Sequence, residues 1–136
     1  MPYKFEQLDV WTLALDYIDL VYKVAENLPR NEEYNLRSQI TRAATSVALN
    51  IAEGSQGQSD AEQARFLGMA IRSLIETVAC QKIIQRRNYL QDTDLLQKMY
   101  NDSQVLARML QGFRNSLLKT QYKVRENESN DDNVLL

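Results

Sequence analysis

Leu36-Arg-Ser-Gln-Ile-Thr-Arg-Ala-Ala-Thr-Ser-Val-Ala-Leu-Asn-Ile-Ala-Glu-Gly54 decides how this chain folds. At about 100° per residue, Leu36, Ile40, Ala43, Ala44, Val47 and Ile51 share one helical stripe. Thr41, Thr45, Ala48 and Ala52 form a second stripe of small residues. Gln39, Arg42, Ser46, Asn50 and Glu53 form a third, polar one. Only Arg37, Arg42 and Glu53 are charged between Leu36 and Gly54. A helix that is apolar or small most of the way round is buried on more than one side. In a chain this short, that predicts neighbours from other subunits as well as its own core.

Working outward, the periodicity predicts three more helices and no strand. The first runs over about 7–28, with Trp11, Leu15, Ile18, Tyr22 and Ala25 as its core stripe. Val10, Tyr17, Val21, Val24 and Leu28 widen its apolar arc past half the circumference, more than a simple bundle requires. Pro29 stops it, because the ring cannot continue the hydrogen-bond ladder. The second helix spans about 33–53, with Glu32 and Glu33 suiting its positive end. Gly54 is placed to end it. Ser59-Asp60-Ala61-Glu62 reads as a capping box opening a third helix over about 60–88. Phe66, Leu67, Ala70, Ile71, Leu74, Val78 and Ile84 form its buried arc, and Gly68 signals close packing. Asp92 or Thr93 caps a fourth helix over about 93–122, with Leu95, Met99, Leu106, Met109, Leu110, Phe113 and Leu117 inside. Residues 125–136 are acidic and polar and read as a disordered tail. The expectation is an all-α, antiparallel up-down-up-down four-helix bundle, with residues 1–124 forming one domain.

Composition narrows the chemistry. The 136 residues include no histidine and one cysteine, Cys80. That removes the commonest general base and transition-metal ligand, and any intrachain disulfide. Cys80 reads as a small buried hydrophobe. Glu53, Asp60 and Glu76 are carboxylates with no paired spacing. No enzyme, cofactor or metal site is expected. No apolar run is long enough to cross a bilayer, and no leader-like stretch opens the chain, so a cytoplasmic location is expected.

The net charge of −2 conceals an uneven distribution. Residues 1–33 carry seven acids and three bases, whereas residues 98–125 carry six bases and one acid. Solvated helix faces account for such segments, and so does a basic surface that meets an acidic partner. On the second reading Arg37, Arg65, Arg72, Lys82, Arg86 and Arg87 are candidate contacts to RNA or DNA backbone. Lys98, Arg108, Arg114 and Lys119 are available to join them. Gln39, Arg42, Ser46, Asn50, Glu53 and Gly54 are candidates for a structural motif. Glu53, disfavoured at the negative end of a helix, is expected to find Arg65 or Arg72.

The run Ser38-Gln39-Ile40, Arg42-Ala43-Ala44, Ser46-Val47 and Asn50-Ile51-Ala52-Glu53-Gly54 carries a resemblance. So do Phe5, Leu8, Val10 and Trp11 before it, and Ser59-Asp60, Arg65-Phe66-Leu67, Ala70, Ser73-Leu74 and Glu76 after it. Over about residues 3–90 the chain resembles the four-helix-bundle family that includes the proteins encoded by intervening sequences of bacterial large-subunit ribosomal RNA genes. The resemblance implies a homopentamer without catalytic activity. It also implies a relative, the accessory protein of diversity-generating retroelements, a basic pentamer that binds nucleic acid and a reverse transcriptase. The chain departs from the pattern at Thr41, where a second arginine is usual, and at Gln56-Gly57-Gln58, where the linker is often basic. Arg72 stands where glycine is frequent. Two function classes follow: an oligomeric nucleic-acid-binding accessory protein, or a structural adaptor that binds a protein partner.

Overall fold

The computed structural model describes residues 1–57 and 59–134, apart from the side chains of 121–125 and 128–134. A 3-10 turn at Lys4–Gln7 precedes α1 (Asp9–Glu26). A second at Arg30–Glu32 precedes α2 (Leu36–Ser55), and α3 (Asp60–Arg86) and α4 (Thr93–Val134) follow. There is no strand among the described residues. Each helix packs on the next in the chain, α1 closes the ring against α4, and Tyr17 and Thr77 bridge the α1–α3 diagonal through the core. Cross-helix contacts fix the directions: Gly54 faces Phe66 while Ser46 meets Ser73, and Gly68 faces Arg114 while Gln81 donates to the Leu96 carbonyl. Successive helices therefore run antiparallel.

The core stripe of α2 is as the periodicity predicts: Leu36, Ile40, Ala43, Ala44, Val47 and Ile51 are all buried. That of α1 is rotated. Val10, Ala14, Tyr17, Val21 and Val24 face the core, whereas Leu15 and Tyr22 are 41% and 46% exposed. An apolar arc wider than half a helix does not say which part faces inward. The bundle selects the side on which Tyr17 finds a polar partner, Thr77 Oγ1 at 2.6 Å. Thr77 already donates to the Leu74 carbonyl, so Tyr17 is the donor of that bond. Burial, reinforced by Asp102, pushes the Tyr17 phenol up to about 12. Cys80 is buried, and burial, with Glu76 adding to it, raises its thiol pKa.

Several boundaries differ from those predicted. α2 begins at Leu36, not near Glu33, because the chain leaving Pro29 makes a 3-10 turn first. Glu32 is thereby turned inward instead of lying at the helix end. It accepts from Tyr89 Oη and from Asn35 Nδ2, each at 3.0 Å. Gly54 does not stop α2 with a left-handed turn: it lies within the helix, its φ is not positive, and Gln56 is the C-cap. A Cβ built on Gly54 would lie 2.8 Å from Phe66 Cβ, so the glycine is there to let α3 approach. Ser59 Oγ accepts from Glu62 N at 3.1 Å, as the capping box predicts. α3 closes through Asn88, at φ 56°, with Tyr89 N donating to the Ile84 carbonyl, a Schellman closure. Asp92 caps α4 by accepting from Leu95 N. α4 continues to Val134, past the end expected near Tyr122, so most of the stretch expected as a disordered tail is helical. No proline or glycine follows Gly112 to break it. Leu135 and Leu136 lie outside the described residues.

Candidate nucleic-acid interface

Three of the six predicted cationic contacts, Arg37, Lys82 and Arg87, are engaged with groups of the bundle itself. Arg37 is spoken for: its Nε donates to the Ala25 carbonyl at 3.0 Å, and Nη2 reaches the carbonyls of Glu26 and Leu28, each at 3.4 Å. These carbonyls lie at and just past the negative end of α1, so Arg37 is a cap supplied by the next helix. Arg87 donates to Tyr89 Oη at 3.3 Å, and Tyr89 in turn donates to Glu32. That chain ties the end of α3 to the turn before α2. Lys82 sits 4.3 Å above the Tyr100 ring. Arg86 is exposed at the last turn of α3.

Arg65 and Arg72 are different. Both project from the exposed side of α3, two turns apart, and line one groove with Gly68, Met69, Ile71, and Gln111 and Arg114 of α4. The groove is open and holds about 380 Å³. None of its three arginines makes an ion pair; among the described residues the one ion pair is Lys98–Asp102, at 3.4 Å. Arg65 lies 4.7 Å over the Phe66 ring. Arg114 Nε is buried and meets no acceptor. A buried donor left in that condition costs about 1–3 kcal/mol, more when charged. Gly68 makes room for this side chain: a Cβ there would touch Arg114 Nε at 3.4 Å. The glycine thus does mark close packing, against an arginine instead of a helix backbone.

The polar stripe of α2 divides in two. Asn50 Nδ2 donates to the Ser46 carbonyl and to Ser46 Oγ, and Ser73 Oγ of α3 meets Ser46 Oγ at 2.9 Å. Those residues form a seam between α2 and α3. Gln39, Arg42 and Glu53 are exposed. Glu53 pairs with neither Arg65 nor Arg72, contrary to expectation. Arg42 donates to Ser38 Oγ within its own helix. With Tyr22 of α1, the outward face of α2 forms a shallow groove of about 480 Å³ lined by Thr41, Thr45, Leu49 and Glu53, among others.

Two other features bear on function. Among the described residues no group of histidine, cysteine and carboxylate side chains could hold a metal ion, and no helix is long and apolar enough to cross a membrane.

Against this geometry, the profile of the 23S rRNA-intervening sequence proteins matches residues 6–112. The chain belongs to that family. A crystal structure at 1.70 Å of a protein of unknown function, from the S23 ribosomal protein family of Bacteroides thetaiotaomicron, is similar to it. The two share 25% identity over 74% of this chain and 94% of the other, with a TM-score of 0.67. No curated protein matches. The S23 neighbour shares the fold and comes without a known function. Arg65 and Arg72 lie inside the matched residues, and Arg114 lies just beyond them.

Proposed function

We propose that this intervening-sequence family member is a non-enzymatic, cytoplasmic, self-associating protein that binds the phosphate backbone of RNA or DNA through α3 and α4. The observation that carries this reading is the groove where Arg65, Arg72 and Arg114 converge from two helices without an acidic partner. Guanidinium groups left without carboxylates match phosphate oxygens in geometry and charge. No base-reading motif accompanies them, so binding is expected to be independent of sequence. Repeating the groove around a symmetric oligomer such as a homopentamer would raise avidity without any new contact.

Fluorescence anisotropy with labelled single- and double-stranded RNA and DNA, titrated at several salt concentrations, tests this. Affinity should fall linearly on a log–log plot, with a slope of roughly −0.7 per phosphate contacted on a single strand. Absence of binding at low salt overturns the reading.

The adaptor alternative draws on a different observation. The outward face of α2 is poor in charge, and beside it Leu49 and Tyr22 are 56% and 46% exposed. A copy of the same chain is the occupant that nucleic-acid binding by a ring requires, and a separate protein is the occupant that an adaptor requires. Light scattering with and without nuclease, combined with a pull-down, distinguishes them. A stoichiometric protein partner that survives nuclease favours the adaptor.

A further inference from the structure

We propose that Arg65, Arg72 and Arg114, with Gln111, form a seat for one phosphate group of a nucleic-acid strand, and that Gly68 positions it by leaving Arg114 room to lie across α3. This rests on the reading above and narrows it from a basic face to one site.

The seat is built and not merely charged. Its cations come from two helices: Arg65 and Arg72 from α3, Arg114 from α4. The α3 pair stands two turns apart with Gly68 between them, so the gap in the ridge of α3 is where Arg114 arrives. Arg114 is half-buried and its Nε is covered, which restricts the side chain. Arg65 rests over the Phe66 ring, and Arg72 remains exposed beside it. Glu76, one turn further along α3, forms no ion pair with Arg72. An anion of about phosphate size is the ligand that three forked, planar donors on the walls of one groove suit. Gln111 lines the α4 side of the groove; its Nε2 donates to Asn115 Oδ1 at 2.9 Å, which leaves one amide hydrogen for an anion. A diffuse basic face reads only total charge. A seat of this kind also reads the geometry of its donors, so lysine is a poor substitute for arginine within it.

The test uses the full-length chain and a short fluorescein-labelled single-stranded RNA at low salt. Arg72→Lys and Arg114→Lys keep the charge and remove the fork. Each is expected to weaken binding about tenfold, the equivalent of one charge-assisted hydrogen bond. Arg30→Lys, exposed in the 3-10 turn before α2 and outside the groove, is expected to leave it unchanged. Gly68→Leu places side-chain carbons where Arg114 lies and is expected to match Arg114→Lys. Arg72 is exposed, so its variant keeps the seat testable even if the Arg114 or Gly68 variants fold poorly. In parallel, inorganic phosphate is titrated while the arginine Nε–H signals are followed by NMR, and saturable shifts confined to these arginines are expected.

If RNA binds wild type but both lysine variants bind equally well, the seat is overturned and the basic face survives. If phosphate shifts the arginine signals but no RNA binds, the seat stands and the nucleic-acid reading fails. If a polyglutamate peptide of equal charge competes as well as RNA does, the site reads acidic protein and the phosphate assignment is overturned.

Discussion

Gly54 shows how one missing methyl group sets a helix distance. Its absent Cβ would meet Phe66 Cβ at 2.8 Å, and a Cβ cannot swing aside as the tip of a long side chain can. Gly54→Ala therefore forces α2 and α3 apart. It is expected to cost about 1–3 kcal/mol despite alanine's better helix propensity, read as a lower midpoint in urea unfolding. Gly68 has the opposite sign. Alanine there only touches Arg114, so Gly68→Ala gains propensity of up to about 1 kcal/mol. Tyr17 supplies a pH dependence. Its phenol ionises near pH 10 in the unfolded chain and near 12 in the folded one, so the neutral form is the one the fold stabilises. That contribution is fully present below pH 10 and is lost as pH rises towards 12; two pKa units correspond to something on the order of 2–3 kcal/mol. Tyr17→Phe should cost about 1 kcal/mol at neutral pH and flatten alkaline unfolding followed by circular dichroism.

At the scale of elements, Arg37 links the end of α1 to the start of α2. Its three acceptors are backbone carbonyls at the end of α1 and in the turn that follows. Arg37→Ala is expected to lower stability by about 1–2 kcal/mol and to leave RNA affinity unchanged, measured by thermal unfolding and anisotropy on the same sample. The reverse pattern would return Arg37 to the binding surface. The Glu32–Tyr89–Arg87 chain performs a similar task at the same end of the bundle, holding the turn before α2 against the end of α3. Several cations that read as ligand contacts in the sequence are thus fasteners between helices. Arginine serves both roles because its fork satisfies backbone carbonyls and phosphate oxygens alike.

For the whole molecule, the arginine groove and the outward face of α2 involve different residues. Separate variants should therefore separate binding from assembly. Leu49→Glu places a charge on the α2 groove and is expected to reduce the mass measured by light scattering. The affinity of each protomer for phosphate should persist while avidity for long RNA falls. Unchanged mass would remove α2 from the assembly interface.

The helix count, the core stripe of α2, the caps at Ser59 and Asp92, and the burial of Cys80 were legible in the chain itself. Those features depend on spacing and on residues at most four apart, which periodicity and capping chemistry record directly. The tertiary structure alone decided which part of α1 faces inward, that Gly54 admits α3 instead of ending α2, and that Glu53 has no arginine partner. It alone also decided which arginines converge. Arg65 and Arg114 are 49 positions apart in sequence and share a groove only because α3 and α4 run antiparallel past Gly68. A sequence declares the charges that a helix carries; the packing of its neighbours determines which of them are neutralised, which are consumed as caps, and which remain for a ligand.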